Sequence, residues 1–170
     1  MTVRQVDPVE LSAGEFTYLV QSAVEEGKSL IVIDSLNGYY QSMPEVKFLN
    51  AYLHELLAYL AQQGVTTFIT LAQYGLLGVG MASPVDVTYL ADSVILLRFF
   101  EASGEIRQAI SMVKKRSGTH ERSIRAYSLG SNGIKVGQPL KDFQGILGGQ
   151  PEYLGKADLL EKDGGDADNH

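Results

Sequence analysis

The fold is decided by the stretch Leu30-Ile31-Val32-Ile33-Asp34-Ser35. Four aliphatic residues in a row, without polar alternation, are typical of a strand that is buried on both faces of a parallel sheet. The run ends in Asp34, which places an acid at the carboxyl end of the strand. Asp commonly caps a turn at such a position without binding anything. The functional alternative is a Mg²⁺ site beside phosphates, because ligands of open α/β sheets bind at the carboxyl ends of the strands.

Helix and strand patterns alternate on both sides of this run. Residues 12–15 have the Ser-x-x-Glu pattern of a capping box, and Gly27 supplies the stop of the helix that follows. After the first strand, Asn37-Gly38 predicts a loop. Apolar residues at spacings of three and four then predict a helix that reaches Gln63, and residues 66–71 predict a second buried strand.

The pattern changes near residue 92, where consecutive strands replace the alternation of strand and helix. Residues 93–101 and 105–114 predict one hairpin, and residues 123–129 and 134–136 predict another. This order predicts an α/β fold with a mixed sheet, in which parallel βα units are followed by antiparallel strands.

Length and composition indicate one globular domain. The chain has 170 residues, 45% of them hydrophobic, and we place the domain at residues 1–150, with a tail at 151–170 that we expect to be disordered toward its end. No apolar run is long enough to cross a bilayer and no leader pattern opens the chain, so we expect a cytoplasmic protein without membrane contact. The absence of Cys excludes disulfides and thiolate metal sites.

Charge is unevenly distributed along the chain. The net charge is −6, which disfavours a nucleic-acid-binding protein, yet the stretch from Arg107 to Arg125 holds six Lys and Arg residues against one acid, Glu121. This stretch is either a solvated basic edge or a site for an anion. Within it, Lys114, Arg116 and His120 could bring an ammonium, a guanidinium and an imidazole onto one phosphate.

Gln73 follows the second buried strand, so it is expected at the same sheet edge as Asp34. There it could orient a water molecule or contact a γ-phosphate, although an ordinary loop residue would look the same. The sequence contains no Gly-x-x-x-x-Gly-Lys-Ser/Thr, the Walker A pattern whose backbone cradles nucleotide phosphates.

Several segments in this order and spacing resemble the KaiC family of RecA-superfamily ATPases, the circadian-clock-type proteins and their bacterial relatives. The resemblance covers about residues 5–150 and is carried by residues 30–39 (LIVIDSLNGY), 53–57 (LHELL), 67–73 (TFITLAQ), 89–98 (YLADSVILLR) and 113–122 (VKKRSGTHER).

The resemblance implies a partial RecA-like P-loop NTPase core. It implies that Asp34 is the Walker B acid, which holds Mg²⁺ through water, and that Ser35 lies beside the nucleotide. It also implies that Lys114, Arg116 and His120 face the ATP of an adjacent subunit in a homo-oligomeric ring, commonly a hexamer. Members of the family hydrolyse ATP, and some transfer phosphate to their own Ser and Thr.

This chain departs from the family by lacking the Walker A segment and the Glu-Glu pair that follows it, so it resembles the C-terminal portion of the domain. We therefore expect ATP and Mg²⁺ to be bound only by the complete protein, and this chain alone to be inactive. It is either a piece of a longer protein or a natural regulatory module. The alternative function is a non-enzymatic domain that binds signalling proteins, and a recombinase-like DNA binder is the least favoured.

Overall fold

The computed structural model describes residues 1–7, 10–42, 48–72 and 88–155. Among these, a first unit extends to Asp92 and a second begins at Ser93, the position at which the sequence pattern changes. The single domain at residues 1–150 stays a prediction. The disorder expected toward the end of the tail falls on residues 156–170, which lie outside the described residues.

The first unit alternates helices and strands. Its elements are α1 (Ala13–Glu25), β1 (Leu30–Ile33), α2 (Leu36–Ser42), α3 (Leu49–Gln62) and β2 (Thr66–Ile69). β1 and β2 pair in parallel, as the sequence predicts, with a register that runs from Leu30 opposite Thr66 to Ile33 opposite Ile69.

The start of α1 is fixed by the predicted capping box, which the structure confirms. Ser12 Oγ accepts a hydrogen bond from the backbone N of Glu15 at 3.2 Å, and the backbone N of Ser12 donates to Glu15 Oε2 at 2.8 Å. Both bonds satisfy donors that the first helical turn leaves without intrahelical partners. Gly27, with φ at +87°, lies just beyond the end of the helix.

Two apolar clusters form the core of the first unit. One cluster joins Leu36 and Tyr39 of α2 to Leu49 and Leu53 of α3. The other cluster joins Val20 of α1 to Leu56 and Leu60 of α3. The buried positions of α3 recur at spacings of three and four, which is the periodicity of a helix that buries one face.

The prediction that β1 is buried on both faces is wrong. Ile31 packs against the second cluster, whereas Leu30 and Val32, which point to the opposite face, are 54% and 60% exposed. Phe68 of β2, opposite Val32, is 57% exposed. The physical reason is that the described clusters of α1 and α3 pack against Ile31 and Ile69, and so cover one face of the strand pair.

The second unit consists of antiparallel strands. Both predicted hairpins are confirmed, and the strand order is β3-β4-β5-β6. The four strands span Ser93–Ala102, Glu105–Lys115, Arg125–Gly130 and Gly133–Pro139. A short pair, β7 (Phe143–Gln144) with β8 (Glu152–Tyr153), follows.

Phe100 lies at the centre of the second core. It packs with Ala102, Ala109 and Ile146, and its ring meets that of Phe143 edge-on with centroids 5.5 Å apart. The α/β class, with a parallel strand pair followed by antiparallel strands, is thus confirmed. In the ranges described above, no helix is long and apolar enough to cross a membrane.

We predict that Leu53→Ala lowers the free energy of unfolding by about 2–5 kcal/mol, because Leu53 is fully buried and truncation leaves a cavity. Urea unfolding followed by circular dichroism measures the loss. The control is Glu55→Ala, which removes an exposed side chain of the same helix and should change stability by less than about 0.5 kcal/mol. Equal effects of the two variants would contradict the packing of α3.

Candidate functional site

Asp34 lies where the sequence predicts it, directly after β1. The side chain is exposed, and its Oδ1 accepts a hydrogen bond from Thr70 Oγ1. Thr70 directly follows β2, so the two residues meet because parallel strands end at the same edge. Ser35, half-buried, follows Asp34 through a cis peptide bond.

Asn37 is a member of this edge that the sequence reading missed. Its Nδ2 donates to the carbonyl oxygen of Ala72 at 2.8 Å, and its Oδ1 accepts from the backbone N of Ala72 at 2.7 Å. The side chain is buried and so ties the start of α2 to the segment after β2. Asn37-Gly38 lies inside α2, so the predicted loop there is wrong. The tertiary bonds of Asn37 outweigh its turn preference.

Gln73 follows Ala72 in the chain but lies outside the described residues. Its predicted role at the sheet edge therefore stays a prediction. In the described part of this edge, the N–H of Thr70 donates to the carbonyl oxygen of Ile33, and the N–H of Leu36 donates to that of Thr70, both at 3.0 Å.

The chemistry around Asp34 fits Mg²⁺ held through water. Among the residues that the structure describes, no group of three or more His, Cys, Asp or Glu side chains could hold a metal directly. Mg²⁺ does not require such a cage, since it retains several waters and is usually held by one or two carboxylates together with substrate phosphates. One exposed carboxylate beside a hydroxyl is compatible with that mode of binding.

The predicted basic cluster lies at the end of β4 and in the loop 116–124 that follows it. Lys114 is half-buried next to the last residue of the strand. Arg116 is exposed at the start of the loop, and His120 is half-buried within the loop. Lys115 closes the loop on itself, because its Nζ donates to the carbonyl oxygen of Thr119 at 3.2 Å. The three cluster residues therefore lie within seven consecutive positions at the end of β4 and in its loop.

Glu121, the only acid of the basic stretch, is engaged on both carboxylate oxygens. Oε1 accepts from the backbone N and the Oγ of Ser123 at 3.0 and 2.6 Å, and Oε2 accepts from Arg125 Nη2 at 3.1 Å. These bonds, first those from Ser123 and then that from Arg125, lower the pKa of Glu121 to about 2. The carboxylate thus stays ionised while its lone pairs are used within the loop.

The candidate site residues divide between the two units: Asp34 and Ser35 lie in the first, and Lys114, Arg116 and His120 lie in the second. Sequence reasoning missed Thr70, the hydrogen-bond partner of Asp34, and the contacts of Glu121 within the basic loop. For Thr70 the available signal was its position in the chain, where it follows a strand as Asp34 does. For Glu121 the signal was its isolation among cations.

Comparison with known proteins gives one family and a consistent set of relatives. The family model described as "ATPase: KaiC" matches residues 5–141. The chain is 28% identical over 142 residues to "Circadian clock protein KaiC3" of Synechocystis sp., which covers 83% of this chain and 28% of that protein. It is 26% identical over 137 residues to "Circadian clock oscillator protein KaiC" of Rippkaea orientalis, covering 80% of this chain and 26% of that protein. The chain therefore spans about a quarter of the length of these relatives.

We predict that Asn37→Ala lowers the free energy of unfolding by about 1–3 kcal/mol, since it leaves the N–H and C=O of Ala72 without the partners that Asn37 supplies. Asn37→Asp should cost at least as much, because a carboxylate oxygen would face the carbonyl oxygen of Ala72. Urea unfolding measures both. The control is Gln62→Ala, which removes an exposed amide, and a loss no larger than that of this control would contradict the role of Asn37.

We predict that the Glu121 carboxyl carbon titrates near pH 2 in ¹³C NMR, and that Ser123→Ala moves the midpoint toward the ordinary value of 4.5. Because the folded pKa lies below the unfolded one, these bonds stabilise the fold fully above about pH 4.3, and the contribution is lost as pH falls toward 2. A wild-type midpoint near 4.5 would show that the carboxylate is not engaged.

Proposed function

Because the chain belongs to the KaiC family of ATPases, we propose that it supplies one part of a nucleotide site in a KaiC-type, circadian-clock-like assembly. Lys114, Arg116 and His120 contact the phosphates of an ATP bound by a neighbouring subunit. Asp34 holds Mg²⁺ through water, with Ser35 beside the nucleotide and Gln73 as a polar sensor of the γ-phosphate.

The observation that supports this proposal most strongly is the positive charge of β4 and of the loop that follows it. Between Arg107 and Arg125 the only acid is Glu121, and both of its oxygens accept hydrogen bonds from Ser123 and Arg125. The stretch that holds Lys114, Arg116 and His120 therefore has six Lys and Arg residues against one acid. Cationic donors of this kind make short, charge-assisted hydrogen bonds to phosphate oxygens. A polyphosphate is the ligand that this composition favours.

Asp34 supports the Mg²⁺ part of the proposal. Its carboxylate is exposed at the edge where β1 and β2 both end, and Thr70 fixes one oxygen so that the carboxylate has a defined orientation. When bound, Mg²⁺ would neutralise charge on the phosphates. Asp34 itself would orient the water ligands of the ion.

Hydrolysis and any transfer of phosphate to protein Ser or Thr belong, in this proposal, to the complete assembly. Phosphoryl transfer depends on positioning and charge stabilisation, and the Walker A backbone and lysine supply much of both. These 170 residues contain no such pattern. This chain would then contribute in trans, in a cytoplasmic ring of like subunits that transmits a signal to protein partners.

A protein-interaction module is the second candidate, and one observation favours it. Leu30, Val32 and Phe68 form an apolar face on the β1–β2 pair and are each more than half exposed. Contiguous exposed apolar side chains on a sheet are typical of surfaces that another polypeptide covers. In that function the basic loop would have no ligand of its own.

Full nucleotide binding needs the complete protein, but we predict that the basic segment alone retains a weak affinity for Mg·ATP, with saturable amide shifts in ¹⁵N NMR confined to the loop after β4. Arg116→Ala should weaken binding about three- to tenfold, because it removes a charge-assisted contact. The control Lys135→Ala removes an exposed cation of β6 and should leave the affinity unchanged. No saturable shift in the loop, or equal effects of both variants, would contradict phosphate binding there and favour the interaction module.

A further inference from the structure

One ion pair between a loop residue and a strand residue ties the loop 116–124 to the sheet. Glu121 in the loop and Arg125 at the start of β5 meet at 3.1 Å, four residues apart. Arg125 uses its other terminal nitrogen as well, since Nη1 donates to the carbonyl oxygen of Gly137 in β6 at 3.1 Å. One guanidinium thereby joins the loop to two neighbouring strands.

The Glu121 carboxylate also fixes the backbone of the loop between Glu121 and Arg125. Its Oε1 accepts from both the backbone N and the Oγ of Ser123, at 3.0 and 2.6 Å, which closes a tight turn two residues after Glu121. We call the set Glu121, Ser123 and Arg125 the carboxylate clasp. At the opposite end of the loop, the bond from Lys115 to Thr119 closes the first turn. His120 lies between these two closures.

We propose that the carboxylate clasp positions Arg116 and His120 for phosphate, so that Glu121 and Arg125 are positioning residues of the nucleotide site. This inference rests on the function proposed above. A loop that is already held in its binding conformation loses less conformational entropy when the ligand binds, so the entropic cost of binding is lower. Glu121 thus promotes anion binding although it is itself an anion.

Positioning by the clasp and attraction between charges predict opposite effects of removing the negative charge of Glu121. Glu121→Gln removes the one negative charge of the loop, and Coulomb attraction alone then predicts tighter binding of Mg·ATP, by about twofold at a separation of roughly 10 Å in water. The clasp predicts the opposite sign. Glutamine retains a carbonyl oxygen for Ser123 but loses the ionic bond to Arg125, so the loop loses its attachment to the sheet.

Glu105→Gln is the matched control. Glu105 is an exposed acid at the far end of β4 and also contacts an arginine, with Glu105 Oε2 3.5 Å from Arg107 Nη2. The change in charge is identical, but the loop is not involved. Arg125→Lys is the second test variant, because it keeps the positive charge, whereas one ammonium group cannot reproduce the two-pronged contact of the guanidinium.

The experiment measures Mg·ATP affinity and loop order in the same ¹⁵N-labelled samples, the latter from the heteronuclear NOE of residues 116–124. We expect Glu121→Gln and Arg125→Lys to weaken binding about three- to fivefold and to lower the loop NOE, while Glu105→Gln changes neither. Urea unfolding checks that the clasp variants remain folded under the conditions of the binding experiment, since loss of an exposed contact lowers stability only modestly.

Tighter binding by Glu121→Gln, or an unchanged loop NOE, would overturn the clasp. Failure of the proposed function has a different signature, in which the wild type itself shows no saturable loop shifts with Mg·ATP. The NOE comparison still decides in that case whether Glu121 orders the loop. A drop in NOE without any nucleotide binding would reject the role in phosphate positioning.

Discussion

The parallel pairing of β1 with β2 is the constraint on which the geometry of the first unit depends. Its register brings the ends of both strands to one edge, so that Asp34 and Thr70, 36 residues apart in the chain, share a hydrogen bond. Asn37 extends the pairing beyond the strands by binding both backbone groups of Ala72. A shift of one residue in this register would point Ile31 away from the helices and separate the polar side chains from each other. The position of Asp34 is therefore a property of the sheet rather than of its own loop.

In the second unit, a single carboxylate has a comparable organising role. The strands from β3 to β6 are held by backbone ladders, but the loop after β4 depends on Glu121 and its bonds to Ser123 and Arg125. The depressed pKa of Glu121 follows from these donors and keeps the contact ionised even in acidic solution, down toward pH 2. An acidic residue thus orders the basic loop, although its negative charge lowers the net positive charge of the loop by one. Such an arrangement favours a ligand that is recognised by geometry as well as by charge.

Local patterns were sufficient to predict most of the secondary structure. The capping box at Ser12, the strand from Leu30, and the hairpin turn at Gly104 each depend on residues close in sequence. The features that sequence reasoning missed depend on distant partners. Asn37 enters a helix because its amide is satisfied 35 residues further on, and the exposure of Val32 depends on which face the helices cover. The basic cluster was predicted from its charges, and its contact with a neighbouring subunit's ATP from a resemblance, whereas the contacts of Glu121 with Ser123 and Arg125 emerge only from the fold.

In the proposed function the end of β4 and the loop after it contact nucleotide phosphates, and lysine labelling measures that contact. An acyl-phosphate derivative of ATP carries its reactive group at the γ-phosphate and acylates lysines that lie beside it. With Mg²⁺ present, mass spectrometry of the labelled chain should find the modification at Lys114, and excess unmodified ATP should suppress it. Lys135 and Lys141, which are exposed elsewhere in the second unit, report non-specific reaction. Labelling of Lys114 no stronger than at these two lysines, or insensitive to ATP, would mean that this segment does not contact the phosphates.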